Sequence, residues 1–315
     1  MINIGNIEKD DICSIPTFRA AYSDRTALLM AKVARCAYQG FDLGKIALTE
    51  FSACFAKLGF TECVDLVHVP SGTAGFIVAN DDIIIVAFRG TEDLRDWLTD
   101  LTTEWTVLKG GVRVHTGFFR SYSTIRERMF ATVTRLLMQK ARPVYITGHS
   151  LGGALACMAT SELANADDAQ VRDSIAACYT FGCPRAGDKS FDWYVKVPLY
   201  RVTNGIDVVP TIPPAFLGYR HVGDPRYFRN AGEAPLRGSP TIIAKITRTV
   251  LALPRLLFRL EIKGIADHSM EVYVGKLQAW AQKVIEETQA RRSHTLTPTV
   301  PPDASPAAAP ILKQA

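Results

Sequence analysis

Gly148-His149-Ser150-Leu151-Gly152 has the form Gly-x-Ser-x-Gly, a spacing suited to presenting a serine hydroxyl as a nucleophile. An apolar run, Val144-Tyr145-Ile146-Thr147, precedes it, and a helical pattern from Gly153 to Ala159 follows. That order of strand, sharp turn and helix lifts the serine over the edge of a sheet. The flanking glycines are needed because a side chain there would meet the neighbouring strand and helix. Without that context the five residues would be no more than a chance match.

A serine hydroxyl reacts only when a base removes its proton and a third group holds the base. In chains with this turn the partners follow in the order serine, acid, histidine. Three histidines follow Ser150: His221, His268 and His294. His294 opens a Pro- and Ala-rich tail. His221 lies in the loop-like stretch Gly218 to Gly223. His268 immediately precedes a long helical pattern, from which it could reach back over the sheet. Among the acids, Asp207 follows the strand pattern Leu199 to Thr203, so it belongs to the same carboxyl edge as the serine. Asp167, Asp168, Asp173, Asp188, Asp192, Asp224 and Asp267 read better as solvated or helix-capping residues.

Five blocks in order resemble the class 3 (fungal-type) lipases. They are Phe88-Arg89-Gly90-Thr91, Asp96-Trp97-Leu98-Thr99-Asp100-Leu101, Val114-His115-Thr116-Gly117-Phe118, Gly148 to Gly153, and Asn204 to Pro210. The resemblance runs from about Tyr22 to about Ile285. It implies the α/β-hydrolase fold and the triad Ser150, Asp207 and His268, with Tyr273 as the aromatic residue a few positions beyond the base. It gives His221 and His115 structural roles and turns His149 away from the nucleophile. The activity implied is that of a serine carboxylester hydrolase of lipase type, cleaving acylglycerols or phospholipids through an acyl-enzyme. An acyltransferase using the same triad, and a non-catalytic lipid binder on a lipase scaffold, are the alternatives.

An oxyanion hole needs donors aimed at developing negative charge. Leu151, directly after the nucleophile, offers its backbone N–H. The resemblance adds Thr91, through its N–H and hydroxyl. Thr91 also follows the buried-strand run Asp82 to Phe88, although capping of the next helix would place it there too. Beyond it, Leu94, Trp97, Leu98, Leu101 and Trp105 share a helical face. Either a lid over the site or an ordinary packed helix fits that pattern.

At 315 residues, 48% hydrophobic and 21% charged, the chain suits one globular domain. Strand-like runs at 75–79, 83–88, 144–147, 176–181 and 199–203 alternate with helical patterns at 118–140 and 270–289. This predicts an α/β fold with a mainly parallel sheet covered on both faces. The expected divisions are a lead-in over 1–20, the α/β-hydrolase domain over 21–290 and a disordered Pro/Ala-rich tail over 291–315. The seven cysteines form no Cys-x-x-Cys pair and read as buried thiols. The start of the chain has no basic stretch followed by an apolar one. A cytoplasmic location, peripheral to a membrane or with signal-less export left open, is therefore expected.

Thr241 to Lys263 interrupts the stretch between Asp207 and His268. Its Lys245, Arg248, Arg255, Arg259 and Lys263 fall within about 80° of a helical wheel, opposite most of its aliphatic residues. A helix lying on an anionic membrane surface and a core-packed helix with snorkelling cations both suit this pattern. The expected partners are a lipid or ester substrate and peripheral membrane contact through this segment. No nucleic-acid motif and no metal-ligand cluster is present, and a serine triad needs no cofactor.

Overall fold

In the computed structural model the described residues are 7–13, 21–39, 48–91, 102–205, 207–238 and 266–295. Residues 92–101 (the lid-or-helix segment) and 241–263 (the basic amphipathic segment) lie outside them. The helices are α1 Lys9–Cys13, α2 Asp24–Gln39, α3 Leu48–Lys57, α4 Thr116–Ser123, α5 Arg126–Gln139, α6 Leu151–Ala164, α7 Ala169–Ser174, α8 Lys189–Tyr194 and α9 Met270–Thr295. The strands are β1 Glu62–His68, β2 Thr73–Ala79, β3 Ile84–Phe88, β4 Trp105–Val107, β5 Arg113–His115, β6 Val144–His149, β7 Ile175–Phe181, β8 Leu199–Asn204, β9 Asp224–Phe228 and β10 Leu236–Arg237.

The main sheet runs β1-β2-β3-β6-β7-β8-β9-β10, and β4 and β5 form a separate hairpin. From β3 to β9 every pairing is parallel; β1, β2 and β10 add antiparallel edges. Parallel strands need helical crossovers, and these bury both faces of the sheet. Alternation along each strand sorts the two cores. Ile84, Val86, Phe88 and Ile146 pack with α4, α5 and α6 on one face, whereas Ile85, Ala87 and Tyr145 pack with α2 and α3 on the other. Helix α6 is buried almost all round, because Gly152, Gly153, Ala154, Ala156 and Ala159 let the sheet approach its backbone closely.

Two element boundaries depart from the sequence reading. The pattern at 118–140 is two helices rather than one. Thr124 turns its hydroxyl onto the Ser121 carbonyl at 2.7 Å and Ile125 leaves helical geometry at φ −120°, so local side-chain bonding breaks the ladder. The last helix runs on to Thr295, past the expected boundary at 290. By contacts the chain divides into Met1–Ala281 and Gln282–Ala315, and α9 begins in the first unit and ends in the second. No described helix is long and apolar enough to cross a membrane.

Candidate active site

Four neighbouring strands deliver the candidate residues to one edge. Phe88 at the end of β3 pairs with Gly148 in β6, His149 at the end of β6 with Phe181 in β7, and Phe181 with Val202 in β8. Thr91, Ser150, Gly182 and Asp207 therefore leave the carboxyl ends of adjacent parallel strands. Crevices for ligands form at such ends.

Ser150 has φ 56° and ψ −129°, and it is the only non-glycine residue with positive φ among the described residues. That conformation costs about 1–3 kcal/mol and is held by its surroundings. The Ser150 N–H donates to the Phe181 carbonyl at 3.0 Å, and the Ser150 carbonyl accepts from Gly153 N–H at 2.9 Å. Leu151 then begins α6, so its N–H belongs to the first turn, which has no intrahelical acceptor. On the β3 side, a Cβ built on Gly90 would collide with the Tyr38 hydroxyl and come within 2.9 Å of Ser150 Cβ. Only glycine allows the backbone leading into Thr91 to run against Ser150.

Asp207 follows β8 and is buried. Three donors converge on its carboxylate: Tyr273 O–H at 2.7 Å, Val209 N–H at 2.9 Å and the His268 ring Nδ1–H at 2.9–3.0 Å. With Nδ1 committed as donor, Nε2 of His268 is left as the basic nitrogen. Among the described residues, Nε2 of His268 and Oγ of Ser150 are both buried and have no hydrogen-bond partner. Ser269 caps α9 by accepting from Glu271 N–H at 3.2 Å, which starts the helix immediately after His268. One turn further on, Tyr273 points back to Asp207.

His149 has a place that the sequence reading gave only as "away from the nucleophile". Its Nε2–H donates to the His268 carbonyl at 2.6 Å, and its Nδ1 accepts from the Tyr38 hydroxyl at 2.7 Å. The rings of His149 and His268 lie 4.4 Å apart. Tyr38, on α2, has no motif around it and was missed. Gly182 was missed as well. A Cβ there would come within 2.8 Å of Asp207 Oδ2 and of His268 Nδ1 and Cε1. Only the paired aspartate and histidine, seen together, reveal why position 182 is bare.

His221 is not near this constellation by any hydrogen bond. It accompanies Arg201 and Arg185, and burial, reinforced by those cations, holds its pKa well below the ordinary value. His115 caps α4 by accepting from Phe118 N–H at 3.3 Å and donates to the Thr102 carbonyl at 2.5 Å. Asp168 and Asp188 cap α7 and α8. Cys157, Cys178 and Cys183 are buried thiols, and burial raises Cys178 to about 12.

Burial also lowers the pKa of His149, well below its ordinary value, with His268 adding to the effect, and that of His115. Each gains a proton less readily in the fold than in the unfolded chain, which binds protons near pH 6.5, so the unfolded state holds more protons as the pH falls through that range. Stability is complete above about pH 6.5 and falls as pH drops, by up to about 1.4 kcal/mol per pH unit for each histidine. Thermal unfolding at about pH 7.5 and about pH 5.5 checks this, with a shallower fall expected for His149→Gln.

A family model described as lipase (class 3) matches residues 85–217. The chain is 36% identical over 151 residues to a lipase of Rhizomucor miehei, covering 46% of this chain and 41% of that protein. It is 36% identical over 169 residues to a secreted mono- and diacylglycerol lipase of Fusarium solani, covering 50% of this chain and 48% of that one. It thus spans less than half the length of these two relatives. Among solved structures, a lipase of Rhizopus microsporus var. chinensis superposes with TM-score 0.59 at 26% identity, over 74% of this chain and 86% of that one. A triacylglycerol lipase whose catalytic centre is described as a serine protease triad superposes with TM-score 0.57 at 25% identity, over 72% and 91%. The fold is that of the α/β-hydrolases. The five sequence blocks, the parallel sheet and the serine turn agree with this likeness to the class 3 lipases, whose family model covers residues 85–217 of the chain.

Proposed function

We propose that the protein is a serine hydrolase that cleaves carboxylic esters of lipids, with acylglycerols as the substrate class. In this reading Ser150 attacks the ester carbonyl while Nε2 of His268 takes its proton. Asp207 holds the imidazole through Nδ1 and offsets the charge it acquires. The N–H groups of Leu151 and Thr91, with the Thr91 hydroxyl, receive the oxyanion, and each such donor is worth about 10²–10³-fold in rate. His268 then protonates the leaving alcohol, and water cleaves the acyl-enzyme by the reverse sequence.

The observation that carries the reading is the orientation of His268: one ring nitrogen is bonded to a buried carboxylate at 2.9 Å and the other is buried and unspent, as is the hydroxyl of the strained Ser150. The acylglycerol class rests on the relatives' names. A hydrolysis screen across triacylglycerol, monoacylglycerol, phospholipid and p-nitrophenyl esters, blanked with Ser150→Ala, tests both parts. Turnover by the blank at the wild-type rate would sink the assignment.

The Tyr38–His149 pair acts on this chemistry through the backbone of the base. His149→Ala leaves the His268 carbonyl and the Tyr38 hydroxyl without their partner. It is expected to lower kcat about tenfold with KM changed less than about twofold, since only the base is displaced. His149→Gln, which keeps a donor, should recover part of the loss. A larger effect on KM than on kcat would assign His149 to substrate binding instead.

A further inference from the structure

The segment that follows Asp207 carries the most exposed large apolar side chain of the described residues. Phe216 is 87% exposed and its neighbour Leu217 41% exposed, on the short turn Ala215–Leu217. A single exposed aromatic needs no explanation. What surrounds this one does. Two arginines brace the turn. Arg185 donates from Nη1 to the carbonyls of Thr211 and Pro213, the latter at 2.8 Å, and its N–H bonds the Ile212 carbonyl at 2.7 Å. Arg220 donates from Nη1 to the carbonyls of Ala215 at 2.7 Å and Tyr219 at 2.8 Å. Its N–H bonds Gly187 at 2.7 Å. Tyr219 is fully buried and stacks on Trp105 with ring centroids 3.9 Å apart.

The turn is therefore fixed to the loops that leave β7 and β8, the strands that also end at Gly182 and Asp207. Its apolar tip lies on the same segment that leaves β8 through Asp207. Positive charge collects at the residues that brace it. From Val208 to Gly223 there is no acidic residue. Among the described residues neither Arg185 nor Arg220 has a carboxylate within ion-pair distance; carbonyls receive their hydrogen bonds. Burial, with the nearby charges of Arg201 and Arg220, lowers Arg185 to about 10, which leaves it a cation at neutral pH.

We propose that this turn is the docking point for an anionic lipid surface, with Phe216 and Leu217 entering the acyl boundary and Arg185 and Arg220 lying at the level of the phosphates. An exposed aromatic and an aliphatic side chain on a turn braced by arginines match the chemistry of such a surface, and a braced turn loses little freedom on insertion. The proposal rests on the lipid-ester reading above, because docking here would bring the Ser150 edge against its substrate.

The test uses the full chain carrying Ser150→Ala, sedimented with vesicles of phosphatidylcholine mixed with phosphatidylglycerol and with vesicles of phosphatidylcholine alone. Binding is expected to be at least about tenfold stronger to the mixed vesicles. Phe216→Glu should weaken it at least about tenfold, and Phe216→Leu by less than about threefold. In the active protein, Phe216→Glu should lower the rate on emulsified lipid relative to that on a soluble p-nitrophenyl ester by a similar factor. Unchanged vesicle binding by Phe216→Glu with an unchanged melting temperature, or equal binding to both vesicle types, overturns the proposal. The two ideas fail separately. Loss of docking leaves hydrolysis of the soluble ester intact, whereas absence of that hydrolysis in the wild-type chain removes the enzymatic reading without touching the binding result.

Discussion

Ser150→Ala is expected to lower kcat on a soluble p-nitrophenyl ester by about 10⁴-fold or more, and to abolish labelling by a fluorophosphonate probe. The cause is the loss of the only atom proposed to bond the acyl carbon. Ser150→Gly should be equally inactive but not equally stable. The serine sits at φ 56° and ψ −129°, where a Cβ is strained and glycine is not. Relief of about 1–3 kcal/mol of strain, set against about 0.5–1 kcal/mol of added chain entropy, leaves a net gain of about 1 kcal/mol. Chemical denaturation of Ser150→Ala and Ser150→Gly side by side measures it. A glycine variant no more stable than the alanine one would mean that the turn is not strained.

The second large effect belongs to a residue with no side chain. At Gly182 φ is +55°, and an added Cβ would lie within 2.8 Å of Asp207 Oδ2 and of two ring atoms of His268. Neither partner can step aside freely, since Asp207 is held by Tyr273 and Val209 and His268 by His149. Gly182→Ala is expected to cost about 10²-fold in kcat, the usual penalty for displacing a catalytic group by about 1 Å. It should also cost about 2–3 kcal/mol in stability, from overpacking and the left-handed backbone together. Rate and unfolding measurements on the purified variant check both, and a change in kcat of less than about threefold would falsify the close packing described for this position.

The serine was legible because its requirements are local: an apolar run, two glycines and a small-residue helix within a dozen positions. Asp207 was legible from its place just past a strand. His268 needed more, because two histidines suited the order and only the resemblance chose between them. Tyr38, His149 and Gly182 act through space. Tyr38 lies 111 residues from His149, which in turn lies 119 from His268, and no spacing rule connects such distances. The break between α4 and α5 was hidden for the opposite reason. The apolar period continues across it, while two side-chain and backbone bonds at Thr124 and Ile125 decide the turn. Exposure of Phe216 depends on which side of a braced turn faces out, and composition alone does not carry that.

The stretch from His268 into α9 brings that imidazole and Tyr273 onto a carboxylate 61 and 66 residues earlier in the chain, and α2 supplies Tyr38 from well before the segment matched by the family model. A chain growing on the ribosome therefore owns its hydroxyl and its acid long before it owns an imidazole to connect them. In the proposed reaction, nascent protein is expected to stay silent until His268 and Tyr273 have left the exit tunnel. By the same logic a fragment limited to 85–217 would be inert, and adding a peptide that spans His268 and α9 is the way to ask whether the missing imidazole can be returned from outside.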